Sequence, residues 1–469
     1  MDAINVNVAG IGAGLFAATY TAYHVYVGLT GPLASLPGPT WSKFTGLPVV
    51  YHIYRGTRMY FLHDLHKRYG PIVRVTPNEV SISDPKAAKE IHKVRSEYLK
   101  TQFYEDASFD EAQNVFTTAD PVYHAEWRKL FAKSVSQSNL ITFQPLIQNF
   151  TSDVTGELSV GSSLGMLETG EENQYVKDIK RVMPLNILRL ALWQGDWSKT
   201  RHLPCFPFST LRGVSTRLNS VAKAYIDDYR ARVAAGGAGS TTTTILLDRA
   251  LETQAREKGS ISEHEILSNA VILMLAGTDT TANTLAYMLW LLFKFPDIKA
   301  QLDEEIDEAR LPGKPGIEDL AKLKYLDYFM LEVMRLYGAA PGPLPRKVPK
   351  GGRDICGYFV PAGMTVSPLG FSISRDPVVY PEPDTFNPDR WADATTAMKE
   401  ADFSFGGGTR ICLGMHIANL EMKMVVVAFL RSSLSDAQLA YGINGYSEQG
   451  MKQLEAIAAR PWGDQVLVR

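Results

Sequence analysis

The run Phe405-x-x-Gly408-x-Arg410-x-Cys412-x-Gly414 is the feature that most restricts how this 469-residue chain can fold. Three consecutive glycines, Gly406 to Gly408, let the backbone turn tightly and aim N–H groups at one sulfur. The apolar run that follows reads as a helix from about Cys412 to Leu430, whose amino-terminal dipole would favour the thiolate. Backbone donors around a thiolate tune its electron density as a metal ligand. Phe405 would cover the sulfur and keep water away, and Arg410 is placed to meet an anionic group. The rival readings are a buried structural cysteine and a zinc site shared with His416, which lacks two further ligands at suitable spacing.

Composition narrows the setting. The chain is 45% hydrophobic and 21% charged, which is globular usage. A net charge of −2 leaves no electrostatic footprint for nucleic acid, so no nucleic-acid partner is expected. The three cysteines, Cys205, Cys356 and Cys412, are too few and too scattered for a disulfide framework.

From Ala3 to Thr40 the sequence has no Asp, Glu, Lys or Arg, and the stretch from about Ile4 to Leu29 is long and apolar enough to span a bilayer. Tyr20, Tyr23 and Tyr26 suit an interfacial belt. Gly31-Pro32 and Pro37-Gly38-Pro39 then read as a stiff spacer. A cleaved signal peptide is the alternative. Gly12-x-Gly14-x-x-Ala17 imitates a dinucleotide-binding fingerprint, but the acidic residue and α/β continuation that fold requires do not follow.

The body reads as one helix-rich domain with a minor β component. Met59 to Tyr69 is amphipathic and ends at Gly70-Pro71; Ile72–Val75 and Glu79–Ile82 read as a hairpin; Asp84-Pro85 opens another helix. Ala234 to Thr244 is a Gly/Ser/Thr-rich loop. Ser262 to Phe293 reads as one long helix with a Ser262/Glu265 capping box. Its interior, Ala276-Gly277-Thr278-Asp279-Thr280-Thr281, is a poor helical run, and a local rule broken mid-helix points to function. Small Ala276 and Gly277 would admit a flat cofactor, and Thr280 with Asp279 could relay protons. Glu332 and Arg335, three apart, share a helical face with apolar neighbours, and Arg390 is a candidate third member of that ion set.

In this order, these pieces resemble the cytochrome P-450 superfamily over nearly the whole chain. The resemblance implies a mainly α fold with a minor β component, heme b (iron protoporphyrin IX) as cofactor, and Cys412 as metal ligand within the matched positions Phe405, Gly408, Arg410, Cys412 and Gly414. It implies propionate contacts at His124, Arg128, Arg346 and Arg410, an oxygen-activation segment at Ala276, Gly277, Asp279, Thr280 and Thr281, and a structural salt-bridge set of Glu332, Arg335 and Arg390. From Leu36-Pro-Gly-Pro39 onward the chain is similar to microsomal, particularly fungal, members. The implied activity is insertion of one oxygen atom of O2 into a lipophilic terpenoid, polyketide or alkaloid intermediate. The implied partners are NADPH–cytochrome P-450 reductase, with cytochrome b5 as an optional donor, and membrane lipid. Lys129 and Lys133 are candidates for docking the reductase. The expected layout is a single-pass anchor at 1–30, a linker at 31–45, and a domain at 46–469 on the cytosolic face of the endoplasmic reticulum. The segment near 139–151 is shorter than in the family, as if most of one helix were missing, and Ser374 stands where many members carry histidine. A haem-dependent isomerase or dehydratase, and an inactive haem-binding paralogue, are the alternative functions.

Overall fold

The computed structural model describes residues 25–106, 113–131, 146–171, 173–180, 208–235, 245–257 and 259–436, with shorter stretches beyond. Helices dominate. Those that position the site are α1 (Leu47–Tyr54), α2 (Arg58–Tyr69), α3 (Pro85–Ile91), α4 (Pro121–Phe131), α5 (Leu146–Val160), α6 (Phe208–Ala234), α7 (Glu263–Lys294), α8 (Lys324–Tyr337) and α9 (Met415–Leu430). Local signals explain most of their limits. Asp84 caps α3 by accepting from Ala87 N, and Gly70, at φ +94°, stops α2. Ser262 and Glu265 form the reciprocal capping box of α7.

The main sheet has the order β1-β2-β7-β4-β3, from β1 (Ile72–Thr76), β2 (Glu79–Ile82), β3 (Leu99–Lys100), β4 (Arg346–Lys347) and β7 (Thr365–Pro368). Strands β5 (Arg353–Ile355) and β6 (Tyr358–Val360) form a separate hairpin. β1 and β2 pair antiparallel as the hairpin pattern predicts, with Ile72 opposite Ile82. β2 and β7 run parallel, and β7, β4 and β3 pair antiparallel. Sequence-distant strands are thereby joined, and Lys100 is set directly opposite Arg346.

The largest core surrounds the carboxyl half of α7, where Leu285, Tyr287, Met288 and Leu292 meet Phe329 and Val333 of α8 and Val426 and Phe429 of α9. A second core joins the amino half of α7 to α4 and α6 through Trp127, Phe131, Val214, Ile266 and Ala270.

One expectation about the amino-terminal region changes. The segment 31–45 is no free spacer: Leu33 and Leu36 are buried against the sheet, Arg74 N donates to Pro37 O at 2.8 Å, and Arg74 Nη1 donates to Leu33 O at 3.1 Å. Buried leucines in a proline-rich stretch find an apolar sheet face, and their burial fastens the segment to the domain. Most of the expected span at 4–29 lies outside the described residues; among those described, no helix is long and apolar enough to cross a membrane. The loop at 236–244 and residues 132–145, which include most of the shortened segment, also lie outside the described residues.

Candidate active site

The cysteine loop folds as its glycines require. Gly406 and Gly408 adopt φ of +74° and +59°, and Cys412 N donates to Phe405 O at 2.8 Å, closing the turn. The helix begins at Met415, not at Cys412, because Gly414 takes the N-cap position. The Cys412 side chain is open on one side, yet the protein mass around it pushes the thiol above its ordinary range. The backbone N–H groups of Gly414 and Met415 and the charge of Arg128 oppose that push without overcoming it. Leu413 packs against the core shared by α4, α6 and the amino half of α7, and Phe405 against the core around the carboxyl half of α7.

A group of basic side chains gathers beside the loop. Arg128 Nη1 donates to Ile411 O at 2.8 Å, fastening α4 to the residue before the cysteine. Arg410 donates to Thr118 O at 3.3 Å and to Asp120 O at 3.4 Å. Arg346 donates to Tyr104 Oη at 3.0 Å and lies 3.3 Å from His92 Nδ1. Lys100, buried, donates to Phe116 O, and its ammonium sits 4.5 Å from the Tyr104 ring centre. Burial first, then Arg346 and Arg410, hold Lys100 well below its usual range. Burial first, then Arg410, Lys100 and Arg128, press His124 down to about 3. Burial first, then Arg346, does the same for His92, again to about 3. Arg410 falls to about 10 by burial and Arg346, with Asp120 partly offsetting.

Like charges directly opposite on a ladder destabilise it, and the buried Lys100/Arg346 pair is such a case. His92 Nε2 is buried with no hydrogen-bond partner. Four cations and an orphaned imidazole nitrogen beside a one-side-open thiol fit a group that carries carboxylates near a soft metal, which is the chemistry of haem. All four propionate positions expected from the sequence, His124, Arg128, Arg346 and Arg410, belong to this group. His92, Lys100 and Tyr104 were missed. Nothing local marks them, since Lys100 meets Arg346 only through strand pairing across 246 residues.

The oxygen-activation segment divides between two faces of α7. Ala276 is exposed, and Thr280 Oγ1 donates to Ala276 O at 2.7 Å. Gly277 meets α5: a Cβ there would come within 2.6 Å of Thr155 Oγ1, so glycine lets α5 cross closely. Asp279 accepts from Gln148 Nε2 of α5 at 3.0 Å, and Thr151 Oγ1 donates to Thr278 O at 3.0 Å.

The Glu332/Arg335 pair is interior, although such a pair is more often solvated. Arg335 Nε and Nη2 bond both Glu332 oxygens at 2.9 and 2.8 Å. Arg390 Nε joins at 3.0 Å, and Asn387 N and Trp391 Nε1, which the sequence did not suggest, each donate at 2.9 Å. These donors together hold the Glu332 carboxyl below its ordinary range against the opposing effect of burial. The apolar, loop-rich stretches 103–115, 184–208 and 341–344 are candidates for lining a substrate pocket; Tyr104 and Val115 are buried, Leu344 N donates to Pro368 O at 2.9 Å, and 107–112 and 184–207 lie outside the described residues.

The profile of the family described as Cytochrome P450 matches residues 128–433. The cytochrome P450 monooxygenase tazI of Aspergillus terreus is 34% identical over 95% of this chain and 95% of its own. The cytochrome P450 monooxygenase orf2 of Aspergillus niger is 29% identical over 95% of this chain and 94% of its own. A solved structure of a retinoic acid-bound cyanobacterial protein, CYP120A1, superposes with a TM-score of 0.71 at 19% identity, covering 92% of this chain and 99% of that one, and shows the same fold.

Proposed function

Since the chain belongs to the cytochrome P450 family, as a haem-thiolate monooxygenase with haem b as cofactor, we propose how its own residues divide the work. Cys412 supplies the thiolate. Lys100, Arg128, Arg346 and Arg410, with His92 and His124, receive the propionates. Bound, the haem supplies activation of dioxygen, with O–O cleavage favoured by the thiolate's electron donation. Thr280, the residue after Asp279 on α7, orients the last proton donor, and Asp279 passes protons toward it through water. The observation that carries this reading is the buried Lys100/Arg346 pair facing the same loop as the half-open thiol.

The substrate class is a lipophilic terpenoid, polyketide or alkaloid intermediate of a fungal secondary-metabolite pathway, a reading supported by the Aspergillus relatives. Electrons come from NADPH–cytochrome P450 reductase, for which exposed Lys129 on α4 offers a contact. The amino-terminal segment anchors the protein in the endoplasmic reticulum membrane. Exposed Leu47, Tyr51 and Tyr54 recur at helical spacing on α1, and exposed Tyr23, Tyr26 and Leu29 precede them, which supports an apolar surface resting on lipid. The test is incubation of microsomes carrying the protein and the reductase with labelled dioxygen and a panel of such compounds. A product bearing one labelled oxygen, dependent on NADPH, is expected; an unlabelled isomeric product contradicts the reading. Retention of the chain in carbonate-washed membranes tests the anchor, and its release into the supernatant rejects it.

A further inference from the structure

We propose that Gln148 of α5 is the positioning residue for the acid of the proton relay, a role that rests on the reading of Asp279 and Thr280 above. Its carboxamide donates to Asp279 Oδ1 at 3.0 Å. The bond belongs to a stripe, not an isolated contact. Gln148, Thr151 and Thr155 recur every three or four residues, so one face of α5 meets Asp279, the Thr278 carbonyl and Gly277 in turn. α5 thereby holds three consecutive residues of α7, immediately before the threonine that back-bonds to Ala276. The amide bond restricts the rotamers in which the carboxylate stays joined to α5.

The choice of an amide has a chemical consequence. A guanidinium at this distance would favour the carboxylate so strongly that the group would accept a proton poorly. A neutral N–H donor orients the carboxylate without itself adding a formal charge beside it. Gln148 touches the relay acid and not substrate or cofactor, so it positions and does not itself catalyse.

The test uses the full chain, haem-loaded, with its reductase and no added substrate. Under these conditions dioxygen is reduced to hydrogen peroxide by one NADPH, or to two waters by two NADPH when protons are delivered for O–O cleavage. Gln148→Leu, Asp279→Asn and Thr151→Val are compared by peroxide formed per dioxygen consumed and by the infrared stretch of bound carbon monoxide. Gln148→Leu is expected to keep the thiolate Soret band, to raise the peroxide fraction by roughly 2- to 5-fold, and to shift the carbon monoxide stretch in the same sense as Asp279→Asn. Thr151→Val, which loosens the same helix crossing without removing the donor to the carboxylate, is expected to change both by less than Gln148→Leu does. Gln148→Met serves where Gln148→Leu is lost in folding. If Asp279→Asn raises peroxide and neither Gln148 variant does, or if Thr151→Val matches Gln148→Leu, the positioning role is overturned. If Asp279→Asn itself changes nothing, the relay reading fails and the positioning role falls with it.

Discussion

At Gly408 an added Cβ would lie 1.9 Å from the carbonyl oxygen of His92, and φ is +59°, so two independent constraints demand glycine. Gly408→Ala is expected to stop the cysteine loop from seating beside α3 and to abolish haem retention, read as the ratio of Soret to protein absorbance; a ratio like that of the parent chain would contradict this. Glu421 on α9 shows a different residue-scale effect. Burial raises its carboxyl to about 8, so the folded chain holds a proton that the unfolded chain releases near 4.5. Folding therefore loses stability as pH rises from about 4.5 toward 8. Glu421→Gln, which carries no titrating proton, is expected to flatten that decline and to be the more stable protein at pH 8, by on the order of 1–3 kcal/mol. Thermal melting at pH 6 and 8 decides it, and an equal fall in both proteins would reject the assignment.

Among the elements, α8 with the Pro388–Trp391 turn depends most on one side chain. Glu332 accepts from Arg335, Arg390, Asn387 and Trp391, and its side chain is fully buried. Removing the charge strands buried cations, so Glu332→Gln is expected to cost about 3–5 kcal/mol, measured by urea denaturation of the holoprotein; a loss below about 1 kcal/mol would mean the network is not structural. Elements with local punctuation were legible in the sequence. The limits of α2, α7 and α8 follow from Gly70, the Ser262/Glu265 box and the apolar period of Lys324–Tyr337. The start of α9 was misplaced because Gly414 competes with Cys412 for the cap, and sequence alone does not rank them. The burial of Glu332 was not legible either, since a pair three apart looks the same inside and outside. Gly277 was noticed for the right reason, a helix rule broken, but its partner Thr155 lies on another helix and no spacing reveals it.

For the whole molecule, the site forms where segments far apart in sequence converge. β3 and β4 bring Lys100 to Arg346, α4 brings His124 and Arg128 to Ile411, and α3 delivers His92. The motif residues were therefore visible and their supporting cations were not, because the sheet order that joins them leaves no local trace. The account's central claim is that this convergence presents Cys412 to a haem iron. The most direct test is the carbon monoxide difference spectrum of the reduced, full-length protein beside Cys412→Ala. A Soret band shifted strongly to the red in the parent and absent from the variant is the result expected. A band at the position typical of a neutral ligand in the parent, or a red-shifted band that survives in Cys412→Ala, would contradict it.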